Sequence, residues 1–274
     1  MLKDKKLAIL GSGFMAKAIA GGLVKSGAVS EDNIIIINSY DAENAKKYAD
    51  SMSMKYGTEK DLPCADIVIC AFKPQNLAEA KIMYAPYWNQ NQLVISIMAG
   101  IEIEMLEDMV PKGTKVIRTM PNLALGVEKS ATAYSLGTNA DNADGALCEE
   151  IFGVLGIVEK TEEKNISTVT GLSGSGPAYF YYLAECMIES AVEQGLERSV
   201  AETLCKQTFL GTAKLWENDD ASPDEMRRRI TSAKGTTDAA IRTMQACGLA
   251  EAVNKGCRAA ADRSNELAKE MKNK

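Results

Sequence analysis

The fold turns on the stretch Lys6-Leu7-Ala8-Ile9-Leu10-Gly11-Ser12-Gly13-Phe14-Met15-Ala16. A short apolar run ends in two glycines spaced by one residue, and a helical pattern follows to Ser26. Glycines at this spacing are common by chance. A strand before them, a helix after them and a second strand within about 30 residues turn the spacing into a dinucleotide fingerprint. Gly11 permits the tight turn, Gly13 lets backbone approach a pyrophosphate, and Ala16 allows close helix packing. The anion then sits on a helix N-terminus, where unpaired N–H groups and the dipole favour it. Leu10, Gly11, Ser12, Gly13, Phe14 and Met15 are therefore the first candidate cofactor contacts.

The second strand ends Ile36-Ile37-Asn38-Ser39-Tyr40. A carboxylate there accepts from an adenosine 2'-hydroxyl and repels a 2'-phosphate. Asn38 and Ser39 are neutral, so NADP (NADPH) is expected ahead of NAD, with Asp41 nearby and no Arg at the turn. Ala71-Phe72-Lys73-Pro74 and Met98-Ala99-Gly100 close two later strands and fall on the same crevice, because ligands of open α/β sheets bind outside the carboxyl ends of strands. For Lys73 a solvated loop position stands beside the functional reading.

Further along, apolar runs at 6–10, 34–37, 67–72, 93–98 and 116–117 alternate with helical stretches up to about residue 160. Such strands imply a parallel sheet covered on both faces. After residue 160, stretches rich in Ala, Glu, Leu and Met take over. Gly176-Pro177 reads as an N-cap and N1 pair, with Gly195 ending the helix; Ser222-Pro223-Asp224-Glu225 starts another, and a last helix runs from about Leu249. The 274 residues thus divide into an α/β Rossmann-type doubly wound domain, 1–160, and an all-α domain, 161–274. Ala178-Tyr179-Phe180-Tyr181-Tyr182-Leu183-Ala184 is apolar on more than one side of a helix, which predicts a homo-oligomer that packs C-terminal domains together.

Composition excludes several functions. A net charge of -6 with no basic stripe argues against nucleic acid. No apolar run approaches the roughly 20 residues of a membrane span, and only four apolar residues follow Lys6, too few for a signal peptide. The expected compartment is the cytoplasm. Seven scattered cysteines without a C-x-x-C pair read as reduced thiols and argue against a metal site. There is no histidine, which removes Ser-His-Asp and Cys-His hydrolases and any dehydrogenase that moves the carbonyl proton with imidazole.

Five pieces carry a resemblance over nearly the whole chain. They are Gly11 to Met15, Phe72-Lys73-Pro74-Gln75, Arg118-Thr119-Met120-Pro121-Asn122, Gly171-Leu172-Ser173-Gly174-Ser175-Gly176-Pro177-Ala178-Tyr179, and Ser232 with Gly235-Thr236-Thr237. The chain resembles the pyrroline-5-carboxylate reductases. The resemblance implies reduction of a cyclic imine to L-proline with NAD(P)H, and a helical C-terminal domain that interlocks into dimers, often within a decamer. It also implies that Ser232, Gly235, Thr236 and Thr237 hold the substrate. Backbone N–H groups take its carboxylate, the Thr237 hydroxyl reaches the ring nitrogen as the catalytic group, and Glu163 contacts the substrate. Thr236 and Thr237 as plain helix caps are the alternative. A protonated imine already carries its proton, so the missing imidazole is consistent with this chemistry.

The chain departs from the family's Ser-Pro-Gly-Gly-Thr-Thr at Ala233 and Lys234, and has Leu123-Ala124 where Thr-Pro is common. Lys234 is either a second carboxylate anchor or a solvated side chain. Arg227-Arg228-Arg229 reads as a solvated helix face, with Arg229 set apart as a candidate for the cofactor phosphates. Two alternatives stay open. One is a reductase of another cyclic imine or a small hydroxyacid, using Lys73, Lys164 or Lys234; the other is a non-catalytic NADP-binding sensor.

Overall fold

The computed structural model describes residues 2–272. The strands are β1 (Leu7–Leu10), β2 (Ile34–Ile37), β3 (Lys55–Gly57), β4 (Ile67–Cys70), β5 (Leu93–Ser96), β6 (Lys115–Met120), β7 (Ser130–Leu136) and β8 (Gly156–Lys160). Between them run α1 (Phe14–Lys25), α2 (Ala42–Ser51), α3 (Leu77–Tyr84), α4 (Ile103–Met109) and α5 (Asn142–Gly153). The sheet order is β3-β2-β1-β4-β5-β6-β7-β8. Every pairing is parallel except β6 with β7.

Period-two alternation inside fully buried strands explains why the apolar runs are continuous. Leu7, Ile9, Ile34, Ile36, Ile67 and Ile69 face one layer with Ala16 and Ile19 of α1, Ala45 and Ala49 of α2, and Ile151 of α5. Ala8, Leu10, Ile35, Ile37, Val68 and Cys70 face the other with Ala80 and Tyr84 of α3 and Leu106 and Met109 of α4. Both faces are covered, as the doubly wound reading requires.

Beyond β8 follow α6 (Ile166–Val169), α7 (Gly176–Glu193), α8 (Arg198–Glu217), α9 (Pro223–Arg229), α10 (Thr236–Ala246) and α11 (Leu249–Lys272). The expected N-cap at Gly176 is corrected here. Thr170–Gly174 forms a π turn, Ser175 has helical angles, and helical backbone therefore runs from Ile166 into α7 without a cap at Gly176. Gly195, at φ 98°, ends the chain segment after α7 in the left-handed region as expected. Ser222 caps α9 by accepting from the Glu225 N–H at 3.3 Å, with Pro223 in its first turn.

The chain forms two compact units. The first takes the chain up to Ser175 together with the stretch from Arg258 on, and the second is Gly176–Cys257. Residues 161–175 stay with the sheet because Ile166, fully buried, packs with Met120 and Ala133. The end of α11 does so because Lys272 pairs with Glu102 and Glu104, and Leu267 lies against Gly100.

Candidate active site

Strand register brings the predicted cofactor loops to one edge. Leu10 pairs with Ile37 on one side and Cys70 on the other, and Cys70 pairs with Ser96. The residues that follow, 11–15, 38–40, 71–74 and 97–99, therefore leave the carboxyl edge of four adjacent strands. β1 lies where the strand order reverses direction, the switch point at which such sheets bind ligands.

Gly11 sits at φ 130°, and a Cβ there would come within 2.6 Å of the Ala71 carbonyl oxygen. No side chain is tolerated at that crossing of two loops. Gly13 is the N-cap of α1 and has no side chain to cap its donors; a Cβ there would meet nothing within 4 Å, and the first turn carries no acid. Free N–H donors, open space before them and no repelling carboxylate suit a pyrophosphate. The residues present fit a dinucleotide.

At the end of β2, the Asn38 side chain donates to Ser12 Oγ at 2.8 Å and accepts from the N–H groups of Tyr40 and Asp41. Tyr84 is buried beneath the loop, and burial pushes its phenol up to about 12. Asp41 accepts from Asn44 N–H as the cap of α2. The loop thus offers neutral groups at its tip. Cys70, beneath the crevice, is fully buried, and burial pushes its thiol up to about 12. It stays protonated and is no nucleophile. Phe14 and Lys73 are exposed, whereas Met98 is buried under the β5 loop.

The candidate substrate residues fall in two places. Glu163, in the first unit, accepts on Oε1 from both Ile103 N–H at 2.7 Å and Arg118 Nη1 at 2.9 Å. Arg118 is only 4% exposed, and its Nε is buried without a partner among the described residues. In the second unit, Gly235 caps α10 with no side-chain bond, so Thr236 and Thr237 occupy the first turn rather than the cap. A Cβ on Gly235 would lie 2.4 Å from Ser232 Oγ. Lys234 is exposed, at φ 60°, and its N–H donates to Asp238 at 3.2 Å. Arg229, read from the sequence as a phosphate ligand, holds Asp219 at 2.5 Å and Glu225 at 2.8 Å. An acid one helical turn back on α9 supplies the second of these partners, which the sequence reading did not weigh.

Two structural roles were missed. Arg118 is a charged residue inside an apolar strand, a sequence signal for a buried partner. Asn122 donates to the Ser173 carbonyl at 3.1 Å. Pro177 has no N–H for that carbonyl four residues back, so the side-chain amide replaces a helical donor. The Pro was the visible sign.

Known proteins bear directly on this arrangement. Residues 163–267 match the family model described as pyrroline-5-carboxylate reductase dimerisation, and residues 6–100 the one described as NADP oxidoreductase coenzyme F420-dependent. A Bacillus subtilis pyrroline-5-carboxylate reductase is 34% identical over 265 residues, covering 96% of this chain and 95% of its own. One from Methanosarcina acetivorans is 34% identical over 270 residues, covering 98% and 100%. The chain belongs to the pyrroline-5-carboxylate reductase family. The crystal structure of a Plasmodium falciparum pyrroline carboxylate reductase with NADP bound superposes with a TM-score of 0.85 at 26% identity, covering 98% of this chain and all of that one. In this reductase chain the NADP-oxidoreductase match, 6–100, contains all four loops at the sheet edge. The dimerisation match contains Glu163 and residues 232–237 and marks the helical half as the part through which members of the family pair.

Proposed function

We propose that the protein reduces 1-pyrroline-5-carboxylate to L-proline, the last step of proline synthesis, with NADPH preferred to NADH. It works as a homodimer that assembles further into a decamer, in the cytoplasm. The observation that carries the reaction is similarity along nearly the entire chain to reductases of that name from a bacterium and an archaeon. The neutral tip of the β2 loop and the relative with NADP bound support NADPH. Seven unpaired thiols suit a reducing compartment.

When bound at the sheet edge, the cofactor supplies a hydride from nicotinamide C4. The chain's own task is positioning. An iminium carbon is already electrophilic, so no side chain has to deliver a proton as the hydride arrives. Holding donor and acceptor in reach supplies on the order of 7 to 11 kcal/mol. Gly11, Ser12, Gly13, Phe14 and Met15 bind the pyrophosphate, with Leu10 behind them; Asn38 and Ser39 meet the adenosine ribose, and Ala71, Phe72, Lys73, Pro74, Met98 and Ala99 wall the crevice. Thr236 and Thr237 take the substrate carboxylate with first-turn N–H groups of α10, on a turn shaped by Ser232 and Gly235. The Thr237 hydroxyl oxygen accepts from the iminium N–H and fixes the ring face. By its likeness to the family Glu163 is a further substrate contact, its carboxylate oriented by Arg118.

Following NADPH oxidation with pyrroline-5-carboxylate tests this. The wild type should turn over, and Thr237→Ala should lose about tenfold or more in kcat/KM while still binding NADPH. Turnover confined to other imines would move the substrate assignment. Tight NADPH binding without turnover on any imine would make the protein a sensor.

A further inference from the structure

We propose that Lys17, on α1, reads the 2'-phosphate of NADPH; this rests on the NADPH preference proposed above. A chain of hydrogen bonds leads from the end of β2 to this side chain. Asn38 accepts from the Asp41 N–H, Asp41 accepts from the Asn44 N–H, and the Asn44 side-chain oxygen accepts from Lys17 Nζ at 2.8 Å. The β2 loop itself brings no cation, since residues 38–41 are Asn, Ser, Tyr and Asp. A dianionic phosphate on the ribose nevertheless needs a positive partner to offset the water it loses.

Lys17 is equipped for that part. Among the described residues its ammonium meets no carboxylate: it bonds a neutral amide and lies 5.2 Å from the centre of the Tyr48 ring. The ring is itself fixed, because Tyr48 Oη donates to the Lys17 carbonyl at 2.6 Å. A half-buried stem on a fixed aromatic platform loses little freedom on binding an anion. The nearby carboxylates are engaged elsewhere. Asp41 caps α2, and Glu43 pairs with Lys47 at 2.6 Å. Among the described residues Lys17 thus carries a charge that no carboxylate neutralises, and it stands one turn into α1 rather than on the turn where such a residue is usually sought.

Calorimetric titration of the full-length protein with 2',5'-ADP and with 5'-AMP tests the assignment without any substrate. The wild type should bind 2',5'-ADP at least about tenfold more tightly than 5'-AMP. Lys17→Met, which keeps an unbranched apolar stem, should weaken 2',5'-ADP by about tenfold, leave 5'-AMP unchanged, and raise KM for NADPH with KM for NADH unmoved. Lys17→Arg should keep most of the discrimination. A Lys17→Met protein that retains the ratio, or loses affinity for both probes equally, would overturn the role of Lys17 while leaving NADPH preference standing. A wild type that does not distinguish the probes would overturn the preference and the role together. Failure to reduce pyrroline-5-carboxylate would touch neither.

Discussion

Lys234 holds its backbone at φ 60°, a conformation that costs a side-chain-bearing residue about 1 to 2 kcal/mol. The family pattern has Gly at this position, and the chain carries the strain immediately before the turn assigned to substrate. Replacing Lys234 with Gly should raise stability by about 1 kcal/mol in urea melts, less whatever entropy the new Gly adds to the unfolded chain. A loss of stability instead would mean that the Lys234 side chain makes a compensating contact. Gly235 has no such latitude, given the Ser232 oxygens against it. The family pattern has Gly at both positions, so which of them is left-handed is a backbone fact that composition does not carry. Glu163 shows the reverse. Its place beside the substrate was an inference from resemblance, and its grip on a buried Arg118 was legible only as an unexplained charge in a strand.

Among elements, β6 organises the sheet's far half. It is parallel to β5 and antiparallel to β7, and it sends Arg118 into the core to meet Glu163 beside the first N–H of α4. Removing the half-exposed Glu163 leaves the charge of the buried Arg118 uncompensated, so Glu163→Leu should destabilise the first unit by about 1 to 3 kcal/mol. The double variant Arg118→Met with Glu163→Leu should recover much of that loss. Thermal unfolding of both, followed by far-ultraviolet circular dichroism, checks the pair; a double variant as weak as the single one would refute it. β1, β2, β4 and β5 were plain in the sequence because each is a solid apolar run buried on both faces. β7 was not, because Ser130, Thr132 and Ser135 are buried there and break the apolar run. β8 was hidden for a different reason: it is an edge strand whose Ile157 is exposed and whose Glu159 and Lys160 are polar. β3 is three residues long and half-exposed.

At the scale of the molecule, the second unit lacks a core of its own. Ala201 and Cys205 are the buried side chains among its described residues beyond Gly176, while Phe180, Tyr181 and Trp216 are 62%, 71% and 52% exposed. Surface of that kind calls for a partner subunit. Velocity sedimentation at micromolar concentration should show a dimer or larger assembly, and Tyr181→Glu should shift it towards monomer; a wild-type monomer would contradict the reading. The first unit raises another matter, since it includes the stretch from Arg258 on. A ribosome making this chain at about 5 to 20 residues per second releases the strands long before the end of α11 emerges. Until then the sheet lacks the Leu267 and Lys272 contacts at Gly100 and Glu102. The unit that begins the chain is therefore completed only after all of Gly176–Cys257 has been made.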